Sequence, residues 1–301
     1  MFRSKFTLRS VYAGLILIGS LVWLAVFSFP DNQLHLVFCD VGQGDAILIT
    51  KGFNQILIDG GPNDKVLNCL TNNMPFFDRT IEVLALTHPE ADHLTGIISV
   101  IEKYQVETFV CGPEGNNSAI YAALREKLRV KSEKGEIKIE NPYTGDKIRL
   151  GDIRLQTLWP EKNWFANKLS NTAANFNADS TGSSVLGLQT GNLKLNQFSL
   201  VFLLQYKDFN VLLMGDADSK VQNDILLFNS LSSLDIVKFP HHGSKTGMTE
   251  DFLATIKPKE AVISVGRNSY GHPTTEVLDL LKKYNVRIRR TDLEGEIKYN
   301  F

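Results

Sequence analysis

The apolar run Ile81-Glu82-Val83-Leu84-Ala85-Leu86 is followed at once by Thr87-His88-Pro89-Glu90-Ala91-Asp92-His93. Four potential metal ligands, His88, Glu90, Asp92 and His93, thus crowd into six positions. The run reads as a buried strand, and Leu94 to Tyr104 as the helix that follows. A loop at the carboxyl end of a strand is where open α/β sheets hold their chemistry. Capping the helix would require Asp92 alone and would leave the other three unexplained.

Further segments extend this pattern. Leu34 to Cys39 reads as a strand, and Ala46 to Thr50 with Gln55 to Asp59 reads as a hairpin around Gly52. Thr108 to Cys111 follows as a strand and Ser118 to Leu128 as a helix. The second half repeats the alternation, with strands at 147–150, 153–158, 200–206, 210–214, 236–239, 261–264 and 286–289. Helices fit 218–227, 249–256 and 275–283. Hairpins first, then strands alternating with helices, in two similar halves, predict two packed sheets with helices outside. Residues 162–196 are rich in Asn, Ser, Thr, Ala and Gly and lack periodicity. A loop of that length inside a domain suggests a flap over a site.

The 301 residues suffice for one large domain or two small ones, and the formal net charge of −1 gives no global attraction to a polyanion. The three cysteines, Cys39, Cys69 and Cys111, are widely spaced and form no C-x-x-C pair. Neither a zinc ribbon nor a disulfide framework is expected, and Cys39 and Cys111 read as buried thiols.

Arg3, Lys5 and Arg9 precede Val11 to Phe29, an uncharged and mostly apolar stretch. Such a helix spans a bilayer core of about 30 Å, and its basic flank would stay inside. The chain then divides into residues 1–30, a cytoplasmic stub and membrane anchor, and residues 34–301, a domain outside the plasma membrane on a single pass. A cleaved signal peptide is the rival, although Val26-Phe27-Ser28-Phe29-Pro30 suits cleavage poorly. A buried globular helix would show a polar face.

Four other stretches carry candidate site residues. Asp40-Val41-Gly42-Gln43-Gly44-Asp45 follows a strand, and its glycines can let backbone approach a bound group closely. Asp59-Gly60-Gly61 ends a strand where a carboxylate can hold a metal-bearing loop. Asp216 follows the strand Leu212-Leu213-Met214 and can bridge two cations, while Asp218 suits a helix N-cap. His241 and His242 stand at a third strand end beside Gly243 and Ser244. One of the pair can ligate metal while the other contacts substrate, and adjacency alone does not decide which. The working assignment makes His242 the ligand and His241 a catalytic group. His272, in Tyr270-Gly271-His272-Pro273, is the last candidate, and His35 within a strand reads as structural.

Together these motifs resemble the metallo-β-lactamase superfamily, whose signature loop is H-x-H-x-D-H and whose fold is a four-layer αβ/βα sandwich. The resemblance is nearest to the metallo-β-lactamase-like C-terminal domains of ComEC-type competence proteins and covers roughly residues 34–301. It rests on Asp40 to Ala46, the His88–His93 loop, Asn196-x-x-Ser199-Leu200-Val201, Gly215-Asp216-Ala217, His241-His242-Gly243-Ser244 and Tyr270 to Pro273. It implies His88, Glu90, Asp92, His93, Asp216 and His242 as ligands of one or two divalent metal ions, manganese or zinc. Asp92, His241 and His272 would serve in catalysis, with Asp40, Gln43, Asp45, Asp59, Asn196, Ser199 and Ser244 around substrate or ligands. Glu90 stands where the superfamily has its second His, and Asn196 where it has its third. Oxygen-rich ligation of that kind is more welcoming to manganese.

The expectation is a membrane-anchored metal-dependent hydrolase, a phosphodiesterase or nuclease acting on single-stranded DNA during uptake, beside a separate membrane channel. The alternatives are a metal hydrolase of a small extracytoplasmic phosphodiester, ester or lactam, and a non-catalytic binding module.

Overall fold

Segments rich in Ile, Leu, Val and Phe pair into two seven-stranded sheets. The structure is a computed structural model that describes residues 8–170, 188–189 and 194–301. The first sheet holds β1 (Leu34–Phe38), β2 (Ile47–Lys51), β3 (Asn54–Ile58), β4 (Thr80–Leu86), β5 (Gln105–Cys111), β7 (Lys138–Glu140) and β16 (Ile297–Asn300). Its order is β16-β1-β2-β3-β4-β5-β7, antiparallel through β3 and parallel from β3 to β7.

The second sheet holds β8 (Lys147–Leu150), β9 (Ile153–Trp159), β11 (Val201–Tyr206), β12 (Phe209–Leu213), β13 (Ile236–Lys238), β14 (Glu260–Ile263) and β15 (Arg287–Arg290). Its order is β15-β14-β13-β12-β11-β9-β8, with β12 to β15 parallel. A small parallel pair joins β6 (Glu114–Gly115) to β10 (Leu188–Gln189).

Three apolar layers make the core. Between the sheets, Leu36, Phe38, Ile49, Phe202, Leu204 and Val262 are wholly buried. Each such side chain stabilises the fold by about 1.5–3 kcal/mol relative to exposure. Outside the first sheet lie α2 (Lys65–Asn73), α3 (Ala91–Lys103) and α4 (Ala119–Glu133), which contribute Leu70, Leu94, Ile97 and Leu124. Outside the second lie α6 (Gln222–Phe228), α7 (Glu250–Ile256) and α8 (Thr275–Lys283), with Ile225, Phe252 and Leu281 turned inward. The two-sheet sandwich with outer helices is therefore present. Ser118 and Thr249 cap α4 and α7 by accepting the N–H groups of Tyr121 and Phe252, satisfying donors that a helix leaves open.

Several sequence expectations need correction. Cys39 is not a thiol: it forms a disulfide with Cys69, tying the end of β1 to α2. Only Cys111 is a free buried thiol. Spacing alone could not show this, because the 30-residue separation says nothing about which side chains meet. Asp218 does not cap α6; it accepts the N–H of Lys220 within a turn, and Val221 stands at the cap. The helices α2 and α9 (Thr291–Glu294) and the strands β7 and β16 were not anticipated. The edge strands are short and their neighbourhoods polar, which hides any period. Within the expected flap at 162–196, α5 (Lys162–Ser170) forms, while residues 171–187 and 190–193 lie outside the described residues.

At the amino end, α1 (Leu8–Ser28) is a continuous helix. Among the described residues no helix is long and apolar enough to cross a membrane.

Candidate metal centre

Parallel strands place their carboxyl ends on one rim, and His88, Asp92, His93, Asp216 and His242 gather there with Asp45 and Asp59. His88 and Asp92–His93 follow β4 on the loop and first turn of α3. Asp59 ends β3, Asp216 follows β12, and His241–His242 follow β13. The rim of the first sheet meets that of the second over Asp216. Ligand atoms of His88, His93 and Asp216 lie within 4.8 Å of one another, as do those of Asp92, His93 and His242, and those of Asp45, Asp216 and His242.

Each buried imidazole is held by its Nδ1. His93 Nδ1 donates to Asp59 Oδ2 at 2.8 Å, and His242 Nδ1 to the Ser264 carbonyl at 2.9 Å. His88 Nδ1 lies 3.1 Å from the Thr87 hydroxyl, which in turn donates to Asp59 Oδ2 at 2.7 Å. The other ring nitrogens, Nε2 of His88, His93 and His242, are buried with no hydrogen-bond partner. Three orphaned nitrogens converging on carboxylates suit a divalent cation, with the Nδ1 partners setting tautomer and ring orientation. The donor set therefore fits a metal ion.

The local backbone is adapted to this. Asp59, at φ 60°, turns its carboxylate to accept both the Thr87 N–H at 2.7 Å and the hydroxyl. His241 and His242 are both left-handed, at φ 51° and 52°, a conformation costing of order 1–3 kcal/mol each for such residues. That turn aims His242 inward, its Nε2 3.3 Å from Asp92 and 3.5 Å from Asp216. His241 points the other way, toward the cleft, while its N–H donates to Asp216 Oδ1 at 3.2 Å. Gly44 lies close to the ligand loop: a Cβ there would lie 2.2 Å from the Asp92 carbonyl oxygen. Its absence lets the Asp40–Asp45 loop pack against the ligand loop.

The remaining candidates divide. Ser199 Oγ accepts the Asp216 N–H at 3.1 Å and so positions that loop. Gln43 accepts the Gly266 N–H at 3.3 Å and lines the cleft with Asp92, His241 and His272. Asn196 Nδ2 lies 3.4 Å from His241 Nδ1, beside the cleft and outside the ligand groups. Glu90 is 3.9 Å from His88 Nε2, at the edge. Asp40 accepts the Gly42 N–H and Ser244 contacts Thr246, both within their own turns. His35 bonds Asp31 and Asn300, away from the site. The basic residues near the carboxyl end are paired: Lys283 with Glu250, Arg287 with Glu260, Arg289 with Glu294 and Arg290 with Asp292.

Sequence reasoning missed Lys238. It is wholly buried at the end of β13, paired with Asp45, 3.6 Å from Asp216 and donating to the Gly215 carbonyl at 2.9 Å. A lysine inside the apolar run Ile236-Val237-Lys238-Phe239 was the available signal. Burial works against its charge, but Asp45 and Asp216 outweigh that and raise its pKa. Among protein groups alone, burial also opposes the charge on His93 and His242, and Asp216 reverses it, with Asp59 at His93 and Asp92 at His242. Both imidazoles hold their protons above the ordinary range. Burial would raise Asp92, yet His242, its Nε2 3.3 Å away, and the His93 charge hold it well below the usual carboxylate value. Burial and the neighbouring His241 and His242 lower the pKa of His272.

No family model matches the chain. YhfI of Bacillus subtilis, a metallo-β-lactamase fold protein, superposes with a TM-score of 0.54 at 10% identity, covering 89% of this chain and all of that one (100%). The fold is that of the metallo-β-lactamases. Zn(2+)-bound PqqB from Methylobacterium extorquens superposes equally, with a TM-score of 0.54 at 11% identity over 89% of this chain and 100% of that one. In sequence, the chain is 26% identical over 93% of its length to ComE operon protein 3 of Bacillus subtilis. It is 25% identical over 98% of its length to Recombination protein 2 of Haemophilus influenzae. These are the ComEC-like proteins to which the motifs pointed, and the chain spans about a third of their length, 35% and 32%.

Two outcomes test the centre. Lys238→Met takes the nearest cation from the buried Asp45 carboxylate, leaving it only His242 at 3.6 Å and His93 at 3.9 Å, so urea unfolding should report a loss of about 3–5 kcal/mol, largely recovered in Lys238→Met/Asp45→Leu; equal losses in both would contradict the pairing. Because His93 and His242 hold protons that a metal must displace, uptake should release protons and tighten as pH rises from about 6 to about 8. Calorimetry in buffers of different ionisation enthalpy measures this, and pH-independent uptake would refute it. The sign follows from the raised values: the same proton-bearing pairs stabilise the metal-free fold at low pH, and that contribution fades as pH climbs through them.

Proposed function

We propose that the chain is a metal-dependent hydrolase of phosphodiesters, with single-stranded DNA as substrate during uptake. The observation that carries this reading is the convergence of three partnerless Nε2 atoms, from His88, His93 and His242, on Asp216. Asp92, His93, Asp216 and His242 would hold one cation, and His88, Glu90 and Asp216 a second, manganese or zinc. A bound divalent cation supplies Lewis acidity, lowering the pKa of water and offsetting phosphoryl charge.

The residues of the chain would do the rest. Asp92 is partly exposed to the cleft while His242 holds its other side, so it can accept a hydrogen bond from, and orient, an attacking water. Asp59 keeps His93 in one tautomer. His272, its pKa lowered, is neutral at physiological pH and suits orientation of a substrate hydroxyl or water better than storage of a proton. His241, turned toward the cleft beside Asn196, can donate to a non-bridging oxygen.

The name of one relative, Recombination protein 2, supports DNA as substrate, and a separate membrane channel would then be the partner. The departures at Glu90 and Asn196 favour a second reading, a one-metal or non-catalytic binding module. A manganese-supplemented assay on a single-stranded oligonucleotide, bis-nitrophenyl phosphate and a lactam separates these. Cleavage of the two phosphodiesters, reduced about 100-fold or more by Asp216→Ala, is expected. Loss of activity with one ion or none bound would favour the binding module.

We also infer anchoring in the plasma membrane through residues 1–30, with the domain outside. In support, Leu15, Ile16, Leu17 and Ile18 on α1 are all exposed, and Phe29 continues into an exposed cluster with Phe53, Phe76 and Phe77. A disulfide also suits an oxidising compartment. The full chain should stay with membranes through alkaline carbonate extraction; release into the supernatant would sink this reading.

A further inference from the structure

The cleft over the ligand cluster has a volume of about 400 Å³, and no lysine or arginine is among the described residues that line it. A polyanion seated there gains little from side-chain cations. The cleft does present an aromatic face. Tyr270 is 73% exposed and stacks on His272, ring centroids 5.7 Å apart and planes at 28°. His272 in turn meets His241 edge-on at 5.7 Å, so an aromatic row leads from solvent toward Asp92 and His242.

The row is held in place. Asn268 accepts the N–H groups of Tyr270 and His272 at 3.0 Å each and donates to the carbonyls of Gly266 and His272 at 2.9 and 2.8 Å. One side chain thus satisfies four backbone groups of a single loop. Gln43 fastens the loop's base by accepting the Gly266 N–H. A ring this exposed adds little to folding, yet its loop is ordered before any ligand arrives, which lowers the entropic cost of using it.

We propose that Tyr270 is the stacking platform for an unpaired nucleobase next to the phosphodiester in the cleft. This rests on the phosphodiester reading above and adds a reason for single strands. Only an unstacked base exposes its face, and stacking holds it without sequence preference. A duplex keeps its bases from Tyr270.

The test reads binding, not cleavage, so that the two proposals can fail separately. Fluorescence anisotropy of the full chain in detergent, with calcium present, compares a labelled oligothymidine with an abasic oligomer of equal length. Tyr270→Ala should weaken oligothymidine binding about 5- to 150-fold and leave the abasic oligomer unchanged. Tyr270→Phe should restore the parent affinity, since stacking needs the ring and not the hydroxyl. Unchanged oligothymidine binding in Tyr270→Ala, equal loss on both oligomers, or parent binding that does not distinguish them would overturn the platform. Cleavage by the parent in those cases would leave the hydrolase reading intact. Base-dependent binding by a parent that never cleaves would do the reverse.

Discussion

Charge balance at the shared rim is the constraint on which the site depends. Asp45, Asp59 and Asp216 are buried there, with Asp92 half-buried beside them, and Lys238 is the resident lysine among them. Carboxylates in a medium of low dielectric repel strongly and lose their hydration. One lysine offsets about one of them. The remainder is met by protons on His93 and His242 or by an added divalent cation. A site that needs positive charge and offers three partnerless nitrogens is built to take up metal.

That rim exists because of strand direction. The first sheet is parallel from β3 onward and the second from β12 onward, so their carboxyl ends collect where the sheets face each other. Asp45 from one sheet reaches Lys238 of the other, and His93 from one reaches Asp216 of the other. The apolar layer between the sheets therefore does more than stabilise: it sets the separation at which these pairs can form. The Asp59–Thr87–His93 hydrogen bonds then lock the ligand loop to the end of β3.

Much of the fold was legible from the period and position of apolar runs. The hairpin at β2 and β3, the β4-to-α3 loop and the strands β11 to β14 follow directly from such runs. Edge elements were less legible, since β7 and β16 are short and partly exposed and carry no clear alternation. The Cys39–Cys69 bond escaped because the two residues lie on different elements with nothing in their spacing to link them. Lys238 escaped because a lone lysine in an apolar strand is ordinarily read as an edge residue reaching solvent.

What the sequence determined by itself was the chemistry available: which donors exist, that they sit at strand ends, and that Glu90 and Asn196 depart from the superfamily pattern. Which donors face one another was decided by tertiary structure. Neighbours at 241 and 242 have the same side chain, and only two successive left-handed residues send one ring to Asp216 and the other to the cleft. The physical reason is that backbone direction at a loop is set by long-range packing and hydrogen bonds, here Asp216 to the His241 N–H and Ser264 to the His242 ring. Residue identity carries no record of those partners.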